Sequence, residues 1–346
     1  MPQRPAPLNT ALGTVFALLT FFIAPTFSYG DELNIYSARQ ESLIKPLLDR
    51  FTVLTGTKIN LVTGKGDALL TRLRSEGLNS PADVLLTVDA GRLYRAQQAG
   101  VLQPISSQGL NEAIPQHLRS PENRWYGLSI RARVIIYASE RIDPSELSTY
   151  EALSAPAWKG KICIRSSNNI YNQSLVAGII ASQGMEKTEA WLNGFVENFA
   201  RPPAGGDRDQ IKAVAAGQCD VAIVNSYYLG GMINSDDKRQ QEAASKVHLF
   251  WPNQNDRGAH INISGAGITQ SAKNVGSAKR LLAFLANDES QTWYGETNNE
   301  FPVRPEVDVS KTLSAWGPFK ADQLNVGELG RYNADAIMAM DRAGWK

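Results

Sequence analysis

Apolar residues in this chain follow two alternating rhythms. Short runs such as LNIYS (33–37), KINLV (58–62) and DVLLTV (83–88) have the length and β-branched content of buried strands. Between them the spacing changes to that of a helix face. Ile44, Leu47, Leu48, Phe51 and Leu54 recur at helical intervals, and Gly56 follows as a stop. Residues 66–76 and the segment ending at Gly100 repeat the pattern. A β-α-β-α-β order predicts a parallel sheet with helices on its faces. The rhythm then resumes. RVIIYAS (133–139), KICIR (161–165), CDVAIVN (219–225) and HINISGAGIT (260–269) read as strands. Helices are expected near 169–182, 186–199, 210–217 and 273–287, and again in the tail from about Asp322 to Met340. Arg133 to Ser139 and Ile261 to Thr269 are the long runs expected to cross between two halves.

Residues 1–30 stand apart. Arg4 precedes an apolar run from about Ala11 to Pro25, which is shorter than the roughly 20 residues of a bilayer span. Ser28, Tyr29 and Gly30 supply a small-residue cleavage site, so the segment reads as a secretory signal peptide and the mature chain is expected to start near Asp31. The remainder of the 346 residues carries all 34 acidic side chains and every basic one except Arg4, out of 35. Its formal charge is therefore zero, without long runs of one sign. A general nucleic-acid binder needs a basic footprint, and a membrane-surface protein a polybasic one, so both are excluded. At this length one core is near its limit, and two lobes are expected. Without a linker between them, the first lobe would be discontinuous: 31–131 with about 262–307, against 132–261 with about 308–346.

The two cysteines, Cys163 and Cys219, each fall in or beside a strand run. An even count in an exported chain permits a disulfide, provided the two strands are neighbours.

In open α/β sheets, ligands gather beyond the carboxyl ends of the strands. Arg39 and Gln40 follow the first strand. Tyr171 follows KICIR in SSNNIYN. Tyr227 and Tyr228 follow CDVAIVN, and Arg131 precedes Arg133 at the start of the 133–139 run. A cleft between lobes could gather three phenols and two or three guanidinium groups. Phenols stay neutral at physiological pH, with a pKa near 10, unless a highly charged cation stabilises the phenolate. Three phenolates would neutralise a trivalent ion such as Fe³⁺ and leave coordination positions for an oxyanion, which an arginine fork suits. Taken alone, a Tyr-Tyr pair is more often an amphipathic contact, and Arg39 alone a solvated side chain. Asp207 in GGDRDQ reads as a helix cap, with Arg208 as a site residue the minor alternative. Asp89 reads equally as a cap or as a cleft residue. GKGDAL (64–69) lacks the third glycine of a dinucleotide turn. The three histidines, His117, His248 and His260, give little support to zinc or to a nucleophile–base pair.

Taken together, NIYSARQE, SPADVLLTVDAGRL, RARVIIYAS, WKGKICIRSSNNIYN, GGDRDQIKAVAAG, CDVAIVNSYYLGGM and NISGAGI resemble the periplasmic ferric-binding proteins, the soluble components of ABC-type iron importers. The resemblance covers nearly all of the chain beyond residue 30. It implies an α/β, two-lobed type II periplasmic-binding-protein fold with crossing strands and an inter-lobe cleft. It implies a periplasmic carrier, not an enzyme, that closes on Fe³⁺ by a hinge motion. The family's tyrosine pair matches Tyr227 and Tyr228, and its third tyrosine matches Tyr171. Gln40 stands where some members carry histidine, Glu41 where some carry tyrosine, and Val88 where some carry glutamate. This is similar to the subgroup with three tyrosines and a synergistic anion such as carbonate or bicarbonate, held by residues resembling Arg39, Gln40 and Arg131. The implied partner is an inner-membrane ABC permease; no nucleic acid is implied, and a monomer is expected. The alternative is a same-fold binding protein for an organic solute such as thiamine or a phosphonate.

Overall fold

The computed structural model describes residues 1–4 and 31–346, and Asp31–Lys346 forms one compact unit. The expected signal peptide lies outside the described residues. Eight strands build the sheet: β1 (Glu32–Ser37), β2 (Lys58–Thr63), β3 (Val84–Val88), β4 (Tyr126–Tyr137), β5 (Ile162–Cys163), β6 (Val221–Asn225), β7 (His248–Phe250) and β8 (Ile261–Ile268). Their order is β2-β1-β3-β8-β4-β6-β5, with β7 also on β4. β1 pairs parallel with β2 and β3, as the β-α-β rhythm predicts, while β8 runs antiparallel to β3 and β4.

β4 joins the two lobes. Tyr126–Ala132 pairs with β8, and from Arg133 to Tyr137 the same strand pairs with β6. The expected run at 133–139 is thus the second half of a strand that begins at Tyr126. Every β4 residue except Ile130 is buried, and β8 is buried throughout, as strands covered on both faces must be. Side chains alternate across the sheet. Val134 and Ile136 of β4 join Ala222 and Val224 of β6 in one core, which extends to Leu33, Phe51 and Leu281. Ile135 and Tyr137 join Val221, Ile223, Phe195 and Trp345 in another. Gly265 permits the tight β8–β4 approach: a Cβ there would stand 2.5 Å from the Tyr126 carbonyl oxygen.

Several boundaries differ from the periodicity. The helix expected from Glu41 starts as a 3₁₀ turn, Glu41–Leu43, and becomes α-helical over Lys45–Thr55. Ile44, Leu47, Leu48 and Phe51 are buried, but Leu54 faces solvent in the last turn. KICIR forms only the two residues of β5. The tail forms two helices, Gly327–Arg331 and Asn333–Arg342, rather than one from Asp322. The first packs on the helix Ala90–Gln98 and on the helix Ile170–Gln183, so the tail touches both lobes. Trp345 then buries its ring beside Phe195 and Phe199 and donates Nε1–H to the Arg165 carbonyl.

The adjacency of β5 and β6 closes the disulfide: the Cys163 and Cys219 Cα atoms are 5.8 Å apart. Among the described residues, no helix is long and apolar enough to cross a membrane.

Candidate functional site

β6 ends at Asn225, and the next residue opens the helix Ser226–Ile233. No turn intervenes, so Tyr227 and Tyr228 occupy the helix's first turn at the carboxyl edge of the sheet. Asn225 stands at the cap position but makes no side-chain cap; its Oδ1 accepts from Arg133 at 3.5 Å. The first-turn amides therefore remain without a side-chain acceptor, and the positive end of the helix lies beside the phenols. From β5 the chain reaches the helix Ile170–Gln183, where Asn169 caps the Tyr171 amide at 3.1 Å. Tyr171 is thus a first-turn residue as well.

The phenols converge. Tyr227 donates its hydroxyl to that of Tyr171 at 3.4 Å. The Tyr227 and Tyr228 rings lie 4.2 Å apart, tilted by 34°. All three line a cavity of about 260 Å³ together with Arg39, Gln40, Val88, Arg131, Arg208 and the segment Thr297–Glu300. Oxygens bonded to one small octahedral ion at about 2.0–2.1 Å stand roughly 2.9 Å apart when adjacent. The Tyr171–Tyr227 separation is close to that spacing. Burial raises the Tyr227 phenol well above its ordinary range, and the neighbouring phenols add to the rise; Arg131 opposes it. Burial and Tyr171 push Tyr228 up to about 12. Without a metal on their oxygens, both are neutral near pH 7.

Charged residues lie behind and opposite the phenols. Arg131 is buried. Its guanidinium carbon is 5.6 Å from the Tyr171 ring centre and 6.0 Å from that of Tyr227, and its Nη2 donates to the Ile263 carbonyl. Although burial disfavours its charge, the surrounding phenols and the carboxylates of Glu300 and Asp89 hold its pKa above the ordinary value. Arg133 and Arg165 share the buried carboxylate of Asp207, at 3.2 and 3.0 Å. On the opposite wall Arg39 grips Glu300 through two bonds, 3.0 and 3.2 Å, and also reaches Ser264. Burial works against the Glu300 charge, but Arg39, Arg131 and the Ser129 hydroxyl hold its pKa below the usual carboxylate range. Gln40 is exposed at the cavity edge.

Cleft residues thus include every expected phenol and all three of Arg39, Gln40 and Arg131, but Arg39 spends both terminal nitrogens on Glu300. Asp207 does not cap its helix. Gly206 holds the cap position, Asp209 accepts from the Gly206 amide, and Asp207 turns inward to the arginines. Asp89 caps Gly91 from a positive φ of 79° and also accepts from Ser174 and Asn262, tying the first lobe to the helix Ile170–Gln183. His260 is buried against Gly178, and burial, with Arg133 and Arg257, pushes it down to about 3. Glu300, Arg165 and Asn299 carried no sequence signal, because only tertiary packing places them at the cleft. Among the described residues, no group of three His, Cys, Asp or Glu side chains could hold a metal ion.

Residues 79–323 match the family described as bacterial extracellular solute-binding proteins. This chain belongs to that family. The solute-binding protein is 46% identical to iron uptake protein A1 of Synechocystis sp. over 94% of its own length and 90% of the relative's. A Trichodesmium protein (IdiA, FutA), solved in complex with iron and citrate, is 54% identical, with a TM-score of 0.89 over 91% of this chain and all of the other. Apo FutA2 from Synechocystis is 47% identical, with a TM-score of 0.87 over 92% of this chain and 100% of FutA2.

Proposed function

We propose that this solute-binding protein is the periplasmic carrier of an ABC-type iron importer, with Fe³⁺ as its cargo and an inner-membrane permease as its destination. Tyr171, Tyr227 and Tyr228 are the metal ligands of this reading, and the lobes divide near 131/132 and 261/262, where β4 and β8 cross. A monomer that opens and closes suffices for the task. The observation that carries the reading is the meeting of Tyr171 and Tyr227 oxygens at 3.4 Å, with Tyr228 in the same cavity. Similarity to proteins named for iron uptake, and to one solved with iron, supports the same cargo.

Chemically, each phenol gives up its proton as its oxygen binds the metal, so one ferric ion and three phenolates sum to zero charge. Neutrality matters in a half-buried cleft, where an uncompensated charge is costly. Two helix N-termini and Arg131 stabilise the developing phenolates. Three protein ligands leave positions for a synergistic anion such as carbonate, beside Arg131 and the Gln40 edge. The organic-solute alternative has weaker support, because a relative named for 2-aminoethylphosphonate binding is 27% identical to this chain, against 46% for iron uptake protein A1.

The test is optical. Purified protein given ferric citrate at neutral pH should develop the visible band of phenolate-to-iron charge transfer. Tyr227→Phe should weaken iron binding by at least about 100-fold, roughly 2.7 kcal/mol, with an unchanged circular-dichroism spectrum. A protein that stays colourless with ferric citrate refutes the reading.

A further inference from the structure

Most of the fixed cations around the cleft are already committed. Arg39 is bound to Glu300, and Arg133 and Arg165 share Asp207. Two cleft guanidiniums, Arg131 and Arg208, have no carboxylate partner at ion-pair distance among the described residues. Arg131 is fixed in the wall by the Ile263 carbonyl. Arg208 is exposed, on the first turn of the helix Asp207–Ala215. It lies against the open side of the phenol cluster, with its guanidinium carbon 5.0 Å from the Tyr228 ring centre. Gly231 makes that position accessible: a Cβ at residue 231 would stand 3.2 Å from Arg208 Nη2, and anything larger would occupy the guanidinium's place.

We propose that Arg208 is the residue that holds the anionic co-ligand, with Arg131 as the second donor. The assignment rests on the ferric reading above. The anion it would take is a small planar oxyanion of the carboxylate or carbonate class, bound to the metal through one edge and to a guanidinium fork through the other. Charge selects the residue. Three phenolates neutralise the metal, so an added anion introduces negative charge that needs a free cation. The Arg39 charge is already cancelled by Glu300, so Arg39 supplies no net charge to an added anion unless that pair breaks, and a buried carboxylate stripped of its partner is strongly disfavoured. Arg208 breaks no ion pair; it leaves only the face of Tyr228, a contact weaker than a forked ion pair.

The experiment titrates bicarbonate into ferric-loaded protein in carbonate-free buffer, following the position of the charge-transfer band. Wild type should show a saturable shift. Arg208→Gln should still colour, at higher iron concentration, and should need at least about tenfold more bicarbonate for the half-maximal shift. Arg208→Lys should recover only part of the loss, because an ammonium cannot bind in a fork. Gly231→Leu, which leaves Arg208 present but displaced, should reproduce the Arg208→Gln shift. A coloured wild type whose bicarbonate dependence is the same in Arg208→Gln, or absent, overturns this assignment alone. A wild type that never colours overturns the ferric reading and the assignment with it.

Discussion

Asp207→Asn tests the charge network behind the phenols, because it should lower stability while leaving iron loading nearly unchanged. The carboxylate side chain is fully buried, and its two oxygens serve two arginines, Arg133 at 3.2 Å and Arg165 at 3.0 Å. Arg133 is itself 1% exposed, and Arg165 is 20% exposed. In the variant, water can reach Arg165 but not Arg133. What remains to Arg133 is neutral: Asn172 at 2.5 Å, the Ile223 carbonyl at 3.3 Å and Asn225 at 3.5 Å. Breaking one side of a buried pair costs about 3–5 kcal/mol. With those acceptors and an asparagine carbonyl still present, the lower end, about 3 kcal/mol, is expected. That is a large share of the roughly 5–15 kcal/mol that holds a domain folded.

The same substitution should leave iron loading nearly unchanged. The Asp207 charge contributes to raising both Tyr227 and Tyr228. Removing it lowers both phenols but also withdraws attraction for the trivalent ion, and because three neutral phenols and one ferric ion with three phenolates carry the same net charge, the two effects cancel. Urea denaturation of the iron-free protein measures the first effect, and the charge-transfer band followed against pH measures the second. A stability loss below about 1 kcal/mol would refute the shared-carboxylate argument. A loading midpoint displaced by more than about one pH unit would refute the charge balance.

Other consequences are open to direct measurement. Iron binding from a ferric chelate, corrected for the chelate's own protons, should release three protons per iron at pH 7, and affinity should fall as pH falls; release of two or fewer would remove a phenol from the ligand set. Replacing Cys163 and Cys219 by serine frees a closure spanning 56 residues, worth about 4 kcal/mol in the chain-entropy account, while iron binding by the folded protein persists; a urea midpoint unchanged from wild type would contradict this. His260 titrates near 3 when folded and near 6.5 when unfolded, so the unfolded chain takes up its proton first and stability drains away as pH falls from 6.5 toward 3, by up to about 5 kcal/mol. His260→Gln should flatten the difference between urea midpoints at pH 7 and pH 4, and an unaltered difference would sink the assignment.

Much of the lobe architecture was legible because the two hydrophobic periods are clean. Strands 33–37, 58–62 and 83–88 and the helix 66–76 emerge from spacing alone, bounded by Gly56, Gly77 and Gly100. Tyr171, Tyr227 and Tyr228 were legible for a topological reason: each follows a strand, and strand ends converge on one edge. The helix at Ser226 was not, because SYYLGGMI has no polar face to set a helical period, and the cap-type Asn225 is itself the last residue of the strand run. Charge pairing was equally hidden. Asp207 reads locally as a cap but is the first residue of its helix, and only the approach of β4 and β5 reveals that its carboxylate is needed elsewhere. Glu300 lies 261 residues from Arg39, and nothing local in NNEF marks it as that residue's partner.

The distribution of committed and uncommitted charge bears on selectivity. With Glu300 cancelling Arg39 and Asp207 shared by two arginines, the cleft's own side chains keep an excess of positive charge around neutral phenols. A weakly polarising cation would meet repulsion there and gain too little from a protonated phenol to offset it. A trivalent ion can displace the protons, and each phenolate so formed is then attracted by the same arginines that opposed the bare ion. The surplus guanidiniums therefore act with the phenols as one unit: they disfavour a cation that leaves the phenols protonated and no longer oppose one whose complex is neutral. Because Tyr171, Tyr227 and Tyr228 all belong to elements following β5 and β6, this unit is complete on one wall. The facing wall, with Gln40, Asn299 and an already neutralised Arg39–Glu300 pair, offers hydrogen bonds to whatever is bound rather than a further charge.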